Sequence, residues 1–301
     1  MRIGLIDVDS HHFPNIALMK LSAYHKARGD TVEWWNGLLS YDLVYMSRIF
    51  TDIYSKDEIH CIRADQIIRG GTGYDLSIKL PENIEHQYPD YSLYSQYTAA
   101  YGYLTRGCPR GCPFCIVGKK EGTRSVHVAD LSEFWRGQKE IRLLDPNLLA
   151  CKDHEKLLQQ LADSGAWVHF TQGLDARLLN EDNVKLIDRV KVKNLHFAWD
   201  DPNDTSAPQM LEWFAKQTKL DDNHRSVYIL TNFNSTHEQD LERIYKVWEM
   251  GYRPYVMVYD KPGAPKITRH LQRWVNSIVL FRHMPNFADY ISAKKSENIE
   301  I

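Results

Sequence analysis

Cysteine is scarce, with five in 301 residues. So thin a supply excludes a disulfide-stapled secreted scaffold and points to a reducing compartment. Long apolar runs are also missing, and none approaches the roughly 18 to 20 residues a membrane helix needs. No sign of charge dominates: 37 Lys and Arg against 39 Asp and Glu leave a net charge of −2. That balance gives no general pull toward nucleic acid or an anionic membrane. The chain opens directly on the strand-like Arg2–Asp7, without a charged stretch, an apolar stretch and a cleavage site before it. A cytoplasmic protein with no membrane partner is therefore expected. At 43% hydrophobic and 25% charged, the composition is that of a globular protein of one large or two ordinary domains.

Three of the five cysteines fall together at Cys108, Cys112 and Cys115, in Thr105-Arg-Gly-Cys-Pro-Arg-Gly-Cys-Pro-Phe-Cys115. The C-x3-C-x2-C spacing puts three thiols in one short loop. Gly107 and Gly111 let that loop curl, and Pro109 and Pro113 stiffen it. Three thiolates can hold three irons of a [4Fe-4S] cluster and leave the fourth iron open for chemistry. A zinc site of three cysteines and a water, or a set of redox thiols, are the other readings. Arg106, Arg110, Lys119, Lys120 and Arg124 flank the loop. They either offset the charge of a cluster or attract an anionic substrate or an acidic electron donor. Cys61 and Cys151 read as ordinary thiols.

The fold class read from the pattern is α/β. Residues 1–80 alternate strand and helix: strands Arg2–Val8, Thr31–Trp35, Leu43–Ser47 and Gln66–Arg69, and a helix capped by Asn15 that stops at Gly29. This predicts a Rossmann-like parallel sheet. Residues 81–100 lose periodicity and read as a linker. Strands are expected at Tyr101–Arg106, Ile141–Leu144, Trp167–Thr171, Leu195–Trp199, Val227–Thr231 and Tyr255–Tyr259. Helices alternate with them at Asp130–Gln138, His154–Ser164, Glu181–Arg189, Gln209–Gln217, His237–Met250 and Thr268–Phe281. Six such units over 101–287 make a partial (β/α)6 TIM-type barrel, followed by a tail, 288–301, expected to fray from Ser292 to Glu300.

In such a barrel the chemistry sits past the C-terminal strand ends. The polar residues there are Asp145 and Asn147, then Gln172, Asp175 and Arg177, then Asp200 and Asp201, then Asn232, then Met257, Tyr259 and Lys261. Paired carboxylates such as Asp200 and Asp201 serve either acid–base chemistry or the start of a helix. Arg177 either grips a ligand carboxylate or pairs with a neighbouring Asp.

The cysteine triplet, with Phe114 before its third member, resembles the signature of the radical S-adenosylmethionine (SAM) enzymes. The wider string resembles the branch with a cobalamin-binding-type domain in front of a methylthiotransferase- or Elongator-like radical core. The resemblance covers roughly residues 100 to 285. It implies a [4Fe-4S] cluster on Cys108, Cys112 and Cys115 whose open iron docks SAM. An electron then splits SAM into methionine and a 5′-deoxyadenosyl radical that takes hydrogen from a substrate. Flavodoxin or ferredoxin would supply the electron. The Gly-Gly-Glu stretch of many such enzymes is absent, and Asp145 and Asn147 stand in its place. In such a site Arg177 would meet the SAM carboxylate, Gln172 the ribose or the substrate, Asn232 the ribose hydroxyls or adenine, and Tyr259 would donate hydrogen or pack.

In the first domain Asp9-Ser-His11-His-Phe-Pro14, Ser47-Arg-Ile49 and Gly70-Gly71 resemble compressed cobalamin motifs, with His11 a candidate cobalt ligand or a loop residue. The substrate, whether small molecule, peptide or nucleoside, is not legible, and methyl transfer and hydrogen abstraction stay open. A stable nucleic-acid complex is not expected, and methylthiolation ranks low because cysteines for a second cluster are lacking. The rivals from other classes are a non-catalytic iron–sulfur carrier or sensor, and a zinc protein that binds nucleic acid through its basic loop.

Overall fold

The computed structural model describes residues 1–11, 13–57, 59 and 61–296. Strands β1 (Arg2–Asp7), β2 (Thr31–Trp34), β3 (Tyr41–Ser47) and β4 (Ala64–Gly70) form a parallel sheet in the order β2-β1-β3-β4. Both faces of the central strands β1 and β3 are covered, which is why these two run largely apolar, while the edge strands β2 and β4 are more polar and exposed. Ile3, Leu5 and Leu43 pack with Leu18 and Leu21 of helix Ile16–Ala27 on one side, and Ile6, Val44 and Met46 with Tyr41 on the other. Asn15 caps the helix by accepting from Leu18 N at 3.2 Å. The stretch read as a linker is built into this unit. Ile84 of the short helix Glu82–Glu85 is buried in the first core, and Tyr94 donates its hydroxyl to Asp7 at 2.7 Å.

The second part contains β5 (Ala100–Gly102), β6 (Thr105–Arg106), β7 (Val126–His127), β8 (Glu140–Leu143), β9 (Trp167–Leu174), β10 (Lys191–Ala198), β11 (Arg225–Thr231) and β12 (Arg253–Val258). Six of these form a parallel sheet in the order β12-β11-β10-β9-β8-β5, while β6 and β7 make a separate antiparallel ribbon. Helices His154–Ser164, Glu181–Ile187, Ser206–Gln217, His237–Glu249 and Lys266–Asn276 follow β8 to β12 in turn. Val168, Phe170, Phe197, Val227, Ile229 and Val256 share one core with Leu161, Phe214, Val247 and Leu271 of those helices. Each such side chain contributes roughly 1.5–3 kcal/mol by leaving water. The intervening strand residues, among them His169, His196, Tyr228 and Tyr255, point to the opposite face. Among the described residues no helix is long and apolar enough to cross a membrane.

Four expectations change. The strand read across Tyr101–Arg106 is divided, because the chain leaves the sheet after Gly102 and pairs again only as β6. The helix expected over Asp130–Gln138 is one turn, Leu131–Glu133. Phe134 turns in to lie on Gly102, where a Cβ would come within 2.3 Å of its ring, and Gly137 at φ 93° carries the chain away. The helix expected over Thr268–Phe281 is two, Lys266–Asn276 and Ile278–His283, with Ser277 between them in extended geometry. Helix Phe287–Ser296, with Phe287 and Tyr290 buried, occupies the start of the tail expected to fray. Residues 297–300 of that tail lie outside the described residues.

The break at Ser277 has a purpose in the sheet. Val256, on the free edge of β12, donates its N–H to Asn276 Oδ1 at 2.8 Å and accepts from Asn276 Nδ2 at 3.1 Å. Gln272 Nε2 adds a bond to the same carbonyl at 3.3 Å. One carboxamide thus takes the place of a seventh strand, while Pro254, two residues back, has no N–H to offer. Asn276→Leu should destabilise the fold by about 1–3 kcal/mol, the cost of stranding buried backbone groups. The urea midpoint reads this, and an unchanged midpoint would show that the edge is satisfied by other means.

Candidate active site

The chain leaves β6, runs through residues 107–125 and returns on β7, so the antiparallel ribbon is the neck of the cysteine loop. Gly107, at φ 87°, crosses close to the returning leg, and a Cβ there would lie 2.1 Å from the Arg124 carbonyl oxygen. Cys108 N donates to Gly122 O at 3.1 Å and Cys115 N to Cys112 O at 3.0 Å. Cys108 and Cys112 are half-buried, Cys115 is exposed, and all three are free thiols. Burial pushes the Cys112 thiol up; Arg110 opposes this, while Asp200, Cys115 and Cys108 add to it. Cys112 therefore feels the other two sulfurs. Even so, among the described residues no three His, Cys, Asp or Glu side chains converge on a common metal position. The donor chemistry, three soft thiols on one loop, fits iron–sulfur or zinc; the sulfur positions are not those of a closed ligand set.

The polar residues past the strand ends fall into distinct places. Asp145 lies behind the loop, not in an open pocket. Its carboxylate, 5% exposed, accepts from Leu104 N at 3.1 Å, Thr105 N at 2.5 Å and Thr105 Oγ1 at 2.7 Å. Burial raises its pKa to about 6 against the pull of those bonds. Asn147, 2% exposed, donates from Nδ2 to Cys108 Sγ at 3.5 Å, and its own carbonyl accepts from Ser125 Oγ at 2.9 Å. Gln172 is exposed. Arg177 forks onto the buried Asp175 through Nε and Nη2, both at 2.8 Å, and its Nη1 lies 3.9 Å from Asp204. The bidentate grip expected for a ligand carboxylate is thus made with the chain's own Asp175, the alternative the sequence had left open. Arg110 approaches the same Asp175 at 3.8 Å.

Asp200 and Asp201 separate in role. Burial pushes the Asp200 carboxyl up, with Arg110 and Arg243 opposing. Asp201 is exposed and accepts from Asn203 N at 2.9 Å and Asn234 Nδ2 at 3.3 Å, which makes it a turn former. Asn232, at φ 62°, donates to Tyr259 O at 2.9 Å and so spends its amide tying the ends of β11 and β12 together. Its neighbour Phe233 meets Phe114 edge-on at 5.3 Å and Tyr259 at 4.9 Å. This arc brings Phe114 of the cysteine loop to the partly exposed Tyr259, with Met257 exposed one step before it on β12. Lys261 is exposed beyond the arc.

Three participants are not apparent from sequence. Phe233 has no signal beyond its place after a strand. Arg243 is buried at 2% exposure, bonding Trp199 O at 2.8 Å, Asp200 O at 3.0 Å, Leu230 O at 2.8 Å and Asp240 Oδ1 at 2.6 Å. It fixes the position of Asp200, and an Asp-x-x-Arg spacing on a helix was its only trace. His196 stacks on Tyr228 at 4.7 Å and 9°, with Nδ1 on the Ser226 hydroxyl. Burial lowers its pKa to about 4, with His169 adding to the effect, so the ring is neutral near pH 7.

Two of the five flanking cations are committed to partners. Arg106 pairs with Glu85 at 3.1 Å and Glu121 at 3.0 Å, and Lys120 donates to Ile78 O at 2.6 Å. In the first sheet Asp9 accepts from Ile49 N and Phe50 N, each at 2.8 Å, and Asn15 Nδ2 donates to Ser47 Oγ at 2.9 Å. A Cβ on Gly71 would lie 2.3 Å from Arg48 O, and one on Gly73 2.2 Å from Phe50 O. The stretches compared with cobalamin motifs are therefore engaged with one another and do not fit that ligand. His11 sits in the loop at φ 48°, and His12 lies outside the described residues.

No family model matches the chain, and no curated protein does. Among solved structures, that of SuiB from Streptococcus suis is similar over 74% of this chain and 55% of its own, at 13% identity and a TM-score of 0.44. The chain thus spans about half the length of that protein.

His196 generates a prediction about pH. Its folded pKa lies below the ordinary value of 6.5. The unfolded chain takes up a proton as pH falls through that value, whereas the folded ring resists until about 4. Stability present above pH 6.5 is therefore lost on acidification. Asp145, raised to about 6, works in the opposite direction, stability falling as pH rises from about 4. The difference between wild type and His196→Gln isolates the histidine. From pH 7.5 to 5 the wild type should lose about 2 kcal/mol more than the variant. Parallel urea midpoints across that range would show that the ring is not buried neutral.

Proposed function

We propose that the chain is a radical SAM enzyme whose [4Fe-4S] cluster is held by Cys108, Cys112 and Cys115. One observation carries the reading: the loop that bears the three thiols meets side chains from the ends of successive parallel strands, Arg110 approaching Asp175, Cys112 lying in the field of Asp200 and Phe114 packing on Phe233. In this reading the six-stranded sheet is a partial (β/α)6 barrel over residues 101–287. Residues 1–80 form a Rossmann-like domain joined through 81–100, and the protein works in the cytoplasm with a flavodoxin or ferredoxin as donor. When bound, the cluster would pass one electron to SAM, breaking its S–C5′ bond to give methionine and a 5′-deoxyadenosyl radical that takes a hydrogen atom from substrate.

The chain's own residues bind, shield and manage protons. Arg110 is the cation that reaches both Cys112 and Asp200. Burial raises the pKa of Asp200 and so favours its protonated form, the direction a proton-holding group requires. The arc of Phe114, Phe233 and Tyr259 ties the thiol loop to the ends of β11 and β12 and gives that side of the site an aromatic lining. Arg177, pinned on Asp175, shapes the site and leaves Nη1 toward Asp204. The substrate is a small molecule, peptide or nucleoside, undergoing hydrogen abstraction or methyl transfer.

Anaerobic reconstitution with iron and sulfide, followed by reduction with SAM, should yield about four irons per chain and 5′-deoxyadenosine. Both should be lost in Cys112→Ala. Zinc bound without sulfide would overturn the reading in favour of a zinc protein, and a stable cluster that never cleaves SAM would favour an electron carrier or sensor.

A further inference from the structure

Asn147 is the residue whose chemistry is least explained by the fold. Its side chain is almost wholly buried, yet its Oδ1 has no hydrogen-bond partner, which costs about 1–3 kcal/mol. A purely structural position of this kind would be better filled by an apolar residue. What the carboxamide does have is a donor contact with Cys108 Sγ at 3.5 Å. The turn that carries it is tied to both legs of the cysteine loop. Asp145 holds Leu104 and Thr105 on the outgoing leg, and the Asn147 carbonyl holds Ser125 on the returning one. The N–H is thus presented to the first thiol by a clamped turn, not by a mobile side chain.

We propose that Asn147 is a positioning residue for the Cys108 sulfur, an outer-shell donor that orients this ligand and withdraws charge from it once a metal or cluster is bound. The proposal rests on the reading of the three thiols as metal ligands, and does not depend on whether SAM is cleaved. Hydrogen bonds to ligand sulfur raise the reduction potential of iron–sulfur centres, and losing such a partner typically weakens metal binding about 10–100-fold. Leu at this position removes the donor and the orphaned oxygen together. Asp keeps the shape and sets an anion against the sulfur.

The test uses Co²⁺ as a probe of the full-length, reduced protein, together with the midpoint potential of the reconstituted cluster. Asn147→Leu should fold with an unchanged or higher urea midpoint. It should bind Co²⁺ about 10-fold or more weakly, with its sulfur-to-cobalt absorption moved to lower energy, and lower the cluster potential. Asn147→Asp should weaken Co²⁺ further, while Ser125→Ala, which leaves the donor in place, should change it less than threefold. A folded Leu variant with wild-type Co²⁺ affinity and absorption overturns the proposal. So does a Leu variant that has lost its fold, since Asn147 would then serve the architecture. Wild-type protein that neither binds Co²⁺ through its thiols nor assembles a cluster overturns the metal-ligand reading itself, whereas a normal cluster without deoxyadenosine overturns only the radical one.

Discussion

The buried carboxylate of Asp145 is the point from which the site hangs. Strand pairing at the edge of the large sheet stops at Gly102, whose bare face is covered by the ring of Phe134. The next N–H groups, those of Leu104 and Thr105, leave the sheet inside the protein, where an unpaired donor is expensive. Asp145 accepts both, and the Thr105 hydroxyl as well. Taking a carboxylate out of water is costly in turn, and three donors on one group are what make it tolerable. The ribbon, the glycine crossing at Gly107 and the thiol loop all follow from a strand that had to end early and an acid placed to receive it.

The other strand ends are closed in the same manner. Arg243 gathers the last carbonyls of β10 and β11, Asn232 bridges to Tyr259, and Asn276 completes the free edge of β12. The strand ends are therefore a braced platform, and side chains mounted on it, such as Asp200 and Phe233, hold their positions without help from a ligand. The first sheet is braced against this platform through charge. Lys20 and Arg106 share Glu85, and Arg106 continues to Glu121 beside the cysteine loop. Moving the first unit would disturb the neck of the loop.

Much of the architecture was legible because it depends on local pattern. Apolar runs marked all the strands of both sheets, and helix His154–Ser164 fell where its periodicity placed it. The reading failed where a contact distant in sequence decides. Nothing near Asp130 announces that Phe134 must turn in toward Gly102, and nothing near Ser277 announces that Asn276 must face Val256. The thiol loop was plain from spacing, but the partners of the polar residues were not. Asn232, Arg177 and Asp145 had the right chemistry for holding a ligand, and the same chemistry serves equally well for holding the backbone or one another. Spacing identifies donors and acceptors; only the packed chain decides which of them are already spent.

That distinction narrows the electrostatics of the loop. Five cations flank it in sequence, but Arg106 is consumed by two glutamates and Lys120 by a carbonyl. Arg110 is the one whose field lowers both Cys112 and Asp200, and it is shared with Asp175. Arg110 is thus divided among a thiol and two carboxylates. Arg110 lies between the Cys112 thiol and the Asp200 carboxyl and opposes the effect of burial on both, so one guanidinium couples the loop to the end of β10.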